Sequence, residues 1–433
     1  MTPTLSRPAA VLMLAALLAA GAARADESSF RPYLVGSRAA GMGGAFTALA
    51  DDGSGAWYNP GGLAFVKSSQ LSIAGSVYGL VTGSYGDALG DGHDFKYSGI
   101  DTLPTATAAI WRLGGEGASA DVFSVSVFVP DSVRVDDRDT LGSSQNAFFL
   151  TSQLQTVYAG LGWARRSGRL GFGVAVFGLL GTRLSQLDIS AVSPTDPSQF
   201  ASITARTDET TYGALGSAGL RWDPTDDLHL GLSVYSPAFG FGKRRFYFRG
   251  LVGPLGGGAA ASQVVNETDL HASPWQPLRV QGGVAARFGA LTVAADIQFL
   301  AARTVVDDGD TSFRSEIRRQ AVVNASVGVE WLASGRFPVR AGFFTDRSAA
   351  PGLVAVPSGA ADPNPTNTSL VHRMGGTFSV GVKSDHTSTD LGVCISGGSG
   401  DDLVPDNLDF SASKVSRSRQ LLAYVFLGSA YQF

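Results

Sequence analysis

From about residue 69 to the C-terminus the chain alternates, residue by residue, between apolar and small or polar side chains. Leu291, Val293, Ala295, Ile297 and Phe299 fall on one side, and Thr292, Ala294, Asp296 and Gln298 on the other. Phe123, Val125, Val127 and Val129 alternate in the same way with Ser124 and Ser126. A helix repeats its faces every 3.6 residues, so a period of two describes strands with one apolar face. No segment beyond the N-terminal region carries the roughly 20 unbroken apolar residues of a spanning helix. Alternation alone fits a soluble sandwich as well as a membrane barrel, and the connections decide between them.

Strands are expected near 69–82, 103–113, 120–130, 149–165, 169–186, 201–222, 226–248, 264–288, 290–304, 313–333, 336–346, 373–384, 388–398 and 418–433. Connections after even-numbered strands are short, around Arg166-Ser167-Gly168, Asp223-Pro224-Thr225, Gly289, Ser334-Gly335 and Asp385-His386-Thr387. Those after odd-numbered strands are long: Gly83 to Thr102, Asp131 to Phe148, Arg347 to His372 and Ser399 to Arg417. Short turns at one end and long loops at the other characterise bacterial outer-membrane barrels, whereas a sandwich has no reason to segregate them. The expected fold class is all-β, a transmembrane antiparallel β-barrel of about 14 strands.

Both termini agree. Leu421, Val425, Leu427, Tyr431 and Phe433 share a face, and Phe433 ends the chain. Tyr431 and Phe433 therefore resemble the aromatic C-terminal signal read by the barrel assembly machinery. Trp111, Trp163, Trp222 and Trp331 stand near the short-turn, periplasmic end, where an aromatic girdle is expected. At the other terminus Arg7, the apolar run Ala9 to Ala20 and Ala23-Arg24-Ala25 read as a signal peptide over 1–25, cleaved before Asp26. The run is short for an uncleaved anchor. The organisation expected is a signal peptide at 1–25, an N-terminal hatch at 26–68 and the barrel at 69–433, in the outer membrane.

Composition removes other classes. A net charge of −4 gives no sign of nucleic-acid binding. The five His have no metal-ligand spacing, and the one cysteine, Cys394, reads as a small strand residue. Gly41-x-Gly43 has no preceding strand and no βαβ unit, so no nucleotide cofactor is expected. Asp307-Asp308-Gly309-Asp310 and Asp401-Asp402 lack the full calcium-loop pattern and read as solvated acidic loops. No Gly-x-Ser-x-Gly elbow is present, and an enzyme is not expected, although outer-membrane barrels can be hydrolases.

A barrel this wide cannot be filled by its own side chains, so its lumen is a channel or is plugged. Residues 26–68 are the available plug. They are dense in Gly and Ala, too broken for a good helix, and suited to tight packing. Asp51 and Asp52 can accept from nearby backbone N–H groups, and Asn59-Pro60 fixes a turn before Gly61. The block Gly41-Met42-Gly43-Gly44-Ala45-Phe46-Thr47-Ala48, Ala50-Asp51-Asp52 and Trp57-Tyr58-Asn59-Pro60-Gly61-Gly62-Leu63-Ala64 resembles the N-terminal hatch of the FadL/TodX/OmpP1 family of outer-membrane transporters. Gly61 stands where that family usually has Ala. Residues 277–284 (PLRVQGGV) and 337–343 (FPVRAGF) support the likeness more weakly.

The resemblance implies a monomer, plugged by its own N-terminus, that passively takes up hydrophobic small molecules such as long-chain fatty acids or aromatic hydrocarbons. Outer loops catch the ligand, the hatch shifts, and the ligand leaves sideways into the membrane. In the family a kink in the third strand provides that exit, and here Asp121 to Pro130 show no internal Gly or Pro. The expected ligand mouth is Phe239, Phe241, Lys243, Arg244, Arg245, Phe246 and Phe248, where aromatics interleave with cations. Outer-loop charges such as Arg134 and Arg138 suit lipopolysaccharide or water. Inward positions read as Ala, Gly, Ser and Thr with few charges, which disfavours a general porin. A scaffold serving an outer-membrane secretion or assembly system is the alternative.

Overall fold

The structure is a computed structural model that describes residues 29–30, 33–87, 94–114, 120–139, 147–192, 196–198, 200–253, 260–307, 315–357, 369–406 and 409–433. The expected signal peptide and the acidic residues 308–310 lie outside the described residues. The strands are β1 Gln70–Tyr85, β2 Phe95–Leu113, β3 Asp121–Asp139, β4 Ala147–Ser167, β5 Leu170–Val192 and β6 Phe200–Trp222. Four strands follow in two pieces each: β7a Leu228–Tyr235 and β7b Phe239–Val252, then β8a Ala261–Ala272 and β8b Arg279–Phe288. β9a Leu291–Leu300 and β9b Arg303–Asp307 precede β10a Ser315–Arg319 and β10b Val322–Ala333. β11 Phe337–Asp346, β12 Ser369–Lys383, β13 Thr387–Asp406 and β14 Asp409–Gln432 complete the set.

Each strand pairs antiparallel with the next, and β14 returns to β1 with Gln432 opposite Gln70. The result is a closed barrel of 14 strands. Closure removes the two edges an open sheet would expose to lipid, where an unpaired backbone group has no water to bond. The outer face is apolar, with Leu161, Val176, Ile297, Val327, Val380 and Ile395 all exposed. Trp111, Trp222, Trp331, Tyr431 and Phe433 are exposed near the short-turn end. The Phe433 N–H donates to the Ser69 carbonyl at 3.0 Å, which ties the last residue to the first strand.

Most of the long connections prove to be strand. β3 continues to Asp139, and β13 and β14 approach each other at Asp406 and Asp409, whereas the loop after β11 stays irregular as far as it is described. The reason is that Arg134, Asp136 and Arg138 point outward into solvent. Above the membrane neither face must be apolar, so the period-two signal fades while the hydrogen-bond ladder continues.

Candidate functional site: the occupied lumen

The N-terminal segment forms only short elements: α1 Ser37–Gly41, α2 Gly55–Tyr58 and a 3-10 turn at Pro60–Phe65. Gly43 and Gly44 adopt positive φ (65° and 77°), which turns the chain back after α1. α1 lies against β11 to β14, and the 3-10 turn lies against β4 to β7a, so the segment crosses the lumen. Val35, Met42, Phe46, Leu49 and Leu63 are fully buried in this contact.

Asn59 organises the turn. Its Oδ1 accepts from Gly61 N–H at 3.0 Å, and its Nδ2 donates to the carbonyls of Thr47 and Leu220, both at 2.8 Å. Pro60 opens the turn at a position that needs no N–H donor. Asn59, Pro60 and Gly61 do not stand in the middle of the lumen but press on the wall at β5 and β6. Bare inner-face glycines accept the backbone there. A Cβ on Gly173 of β5 would lie 2.4 Å from the Pro60 carbonyl oxygen, and one on Gly219 of β6 would lie 2.9 Å from Pro60 Cδ; on β7a, one on Gly231 would lie 2.2 Å from the Thr47 carbonyl oxygen.

Charge then fixes the segment to the wall. Arg38 makes a two-pronged pair with Glu330 at 2.9 and 3.0 Å and reaches Asp51 at 2.6 Å. Arg340, fully buried, bridges Glu330 at 2.6 Å and Asp390 at 2.7 Å, and Asp390 accepts from the Ser37 hydroxyl at 3.1 Å. Oδ2 of Asp296 accepts from the N–H groups of Phe46 and Thr47 and from the Thr47 hydroxyl, at 2.7 to 2.8 Å. Arg221 binds Asp223 at 2.9 Å and donates to the Leu49 carbonyl. The expectation of a lumen with few charges is therefore corrected. Inner positions are rich in charge because a buried segment with broken helices leaves backbone groups that need partners.

The acidic pair divides. Asp52 accepts from Ser54 N–H at 2.8 Å, the local turn expected, while Asp51 reaches Arg38. Burial pushes Asp51 up, but Arg38 and Arg221 outweigh it and hold the carboxyl below its usual range. Burial dominates at Asp52, whose carboxyl is held above its usual range despite Arg38 and Ser54. Both line a polar cavity of about 120 Å3 beside Lys383, Ser388 and Gln432, at the periplasmic end.

The expected ligand mouth splits across the wall. Arg244, Phe246 and Phe248 point inward and are buried, whereas Phe239 and Phe241 are 68% and 71% exposed outside, with Lys243 and Arg245 also outward. Alternation on β7b enforces this. The Phe241 ring lies 5.9 Å from Tyr212, so this outer group forms an aromatic patch on the barrel exterior. Inside, Phe246 and Phe248 pack with Phe95, Leu150, Ile189 and Ile203 in a buried apolar cluster. One charged row crosses it. Register places Arg183, Glu209 and Arg244 side by side on β5, β6 and β7b, with Arg183 and Glu209 3.2 Å apart.

Phe30, Trp57, Pro130, Tyr158, Trp275 and Arg279 surround a cavity of about 50 Å3. A cavity of about 150 Å3 admits benzene, so a ring-sized ligand enters only if these side chains move. β3 corrects a second expectation, since Pro130 lies inside it. The β3–β4 register jumps between Phe128 and Asp131, and β2–β3 pairing stops at Ala106 and Phe128. The Pro130 carbonyl accepts instead from Tyr33 N–H, at 3.3 Å.

Sequence reasoning did not single out Glu330, Arg340, Asp390 or Arg221. Asp296 carried a signal, as a carboxylate on the small-residue face of an otherwise apolar strand. No protein-family model matches the chain, and neither does any curated protein. Solved structures do share its fold. A Pseudomonas aeruginosa FadL homologue is 14% identical, with a TM-score of 0.66 over 94% of this chain and 100% of its own. The P. putida toluene transporter TodX is 16% identical, with a TM-score of 0.63 over 93% and 99%. The Ralstonia pickettii toluene transporter TbuX is 13% identical, with a TM-score of 0.58 over 92% and 98%.

Proposed function

We propose that this chain, whose fold is that of the FadL and TodX outer-membrane barrels, carries hydrophobic molecules across the outer membrane without an energy source. The ligand is held where the side chains of the apolar cluster part to admit it, passes to the small cavity, and leaves sideways beside Pro130. The observation that carries this reading is the contact between Tyr33 and Pro130. One hydrogen bond links the lumen segment to the place where the β2–β3 ladder ends. A shift of that segment and an opening of the wall are thereby coupled. Sideways release suits an apolar solute, because burial away from water stabilises it by about 25 cal/mol per Å2.

The charged row beside the apolar cluster supports a reading of the substrate class. Arg183, Glu209 and Arg244 set two guanidiniums and a carboxylate beside aromatic and branched side chains, a polar row that can bond a carboxylate head. That favours amphipathic acids with a carboxylate head over neutral hydrocarbons. The test is uptake of a panel of long-chain fatty acids and monoaromatic hydrocarbons by a deletion strain with and without the gene. Arg244→Leu should lower fatty-acid uptake about tenfold and leave toluene uptake unchanged. Equal uptake with and without the gene, across the whole panel, would sink the transporter reading.

A further inference from the structure

Four neighbouring strands break at one height. The interruptions are Ser236-Pro237-Ala238 in strand 7, residues 273–278 in strand 8, Ala301-Ala302 in strand 9 and Gln320-Ala321 in strand 10. Pro237, Pro274 and Pro277 cannot donate to a ladder. The last backbone rung between strands 8 and 9 is Ala301 N–H to the Leu278 carbonyl, at 2.9 Å. Above it β8a pairs with β7b, and β9b with β10a. Among the described residues no backbone hydrogen bond joins β8a to β9b.

The height is set by β9a, whose 10 residues rise from the periplasmic turn with Leu291, Val293, Ile297 and Phe299 exposed outside. A tilted strand of roughly 9–11 residues spans the bilayer, so the seam opens at the outer edge of the hydrocarbon. An unpaired edge is tolerable there, where headgroups and water supply partners.

Side chains close the seam. Arg303 donates through Nη1 to the Gln276 carbonyl, which also accepts from Ala238 N–H, and through Nη2 to the Ala238 carbonyl at 2.7 Å, tying strand 9 to the interruptions of strands 7 and 8. Trp275, Val305 and Ile317 pack together on the inside with Phe30 of the N-terminal segment, whose ring is 5.5 Å from Trp275. Directly within lies the 50 Å3 cavity, with Phe30, Trp275, Pro277 and Leu300 on the seam side and Pro130 and Tyr158 also in its wall. One cavity thus touches both this seam and the bulge in β3.

The geometry points to a side portal between β8a and β9b, through which a hydrophobic small molecule dissolved in the outer leaflet reaches the lumen. Arg303 is its latch and Phe30 its inner stopper. The portal rests on the uptake reading for its purpose but not for its existence. It is separate from the Pro130 route, and it lets ligand pass from lipid to lumen without crossing the outer loops.

The barrel is reconstituted in phosphatidylcholine vesicles with and without brominated acyl chains, and the Trp275 contribution is isolated by subtracting Trp275→Phe spectra. Bromine should quench Trp275 in the wild type, and about twofold more in Arg303→Ala and in Phe30→Ala, which leaves the wall intact. Arg303→Lys should restore most of the wild-type value. Trp275 unquenched in the wild type and in both alanine variants, each shown to be folded by heat-modifiable migration, would overturn the portal. If Trp275 is quenched but toluene loaded in the membrane never crosses in any variant, the portal stands and the uptake reading falls.

Discussion

Gly61 and Gly219 face each other so closely that neither has room for a side chain. A Cβ on Gly61 would lie 2.6 Å from the Gly219 carbonyl oxygen, and one on Gly219 would lie 3.0 Å from the Gly61 nitrogen and 2.0 Å from Asn59 Oδ1. The obstructing atoms are mainly backbone and a tethered amide, so they cannot swing aside. Gly61→Ala should loosen the N-terminal segment by about 1–3 kcal/mol, the usual cost of overpacking. Amide hydrogen exchange over residues 36–64 should rise while the strands stay protected. Unchanged exchange would show that the wall yields.

Asp296 gathers three donors from the lumen segment on one oxygen. Asp296→Asn keeps the shape but removes the charge, and hydrogen bonds to charged groups contribute about 1.5–3 kcal/mol. The segment's exchange should accelerate at least tenfold, and thermal unfolding of the barrel should move little. Equal protection in the two proteins would assign the docking to packing alone.

Arg340 touches two carboxylates from different strands and has no exposure to solvent. Arg340→Met leaves Glu330 and Asp390 without it, a loss of about 3–5 kcal/mol by analogy with other buried pairs. Adding Asp390→Asn to that variant should recover part of the loss. A double variant as unstable as the sum of the singles would show that the two residues do not interact.

Pro130 supplies no N–H to the β2–β3 ladder. Pro130→Val restores the donor and favours extended backbone, so pairing should extend upward from Phe128. Uptake should fall about tenfold with the N-terminal segment still in place, as reported by trypsin resistance. Full uptake in this variant would remove the sideways route.

Acid should act on the N-terminal segment in two steps of opposite sign. Asp52 is held above its ordinary 3.8, so its protonated form is favoured in the folded state and falling pH first relieves a penalty. Asp51 is held below 3.8, so its contribution is present above that value and is lost as pH falls through the depressed one. Exchange corrected for intrinsic rate should dip slightly and then rise steeply on acidification. Asp51→Asn should abolish the steep rise, and Asp52→Asn the shallow dip.

Particular elements show what could be read beforehand. The turn at Gly168 and the rise of β9a from Leu291 followed from alternation and turn residues, because both are local. The ends of β2, β3, β13 and β14 did not, because above the membrane the ladder persists without an apolar face to mark it. Pro130 reads in the sequence as a strand's end and is instead the bulge within it, since a proline in the chain gives the same local signal for both. The division of Phe239 and Phe241 from Arg244, Phe246 and Phe248 was present in the period of two. Which set looked inward was fixed only when β6 and β8a took their places on either side.

The sequence by itself determined that the chain is strands with one face for lipid, closed into a barrel, with a Gly-rich segment left over at its start. Those properties rest on periodicity, connection length and backbone freedom, which act between near neighbours. Tertiary structure alone decided that Arg38 meets Glu330, 292 positions away, that bare glycines on the wall receive the Asn59-Pro60-Gly61 turn, and that strands 7 to 10 part at one height. Such contacts depend on barrel circumference and strand register, which are set only when the last strand pairs with the first.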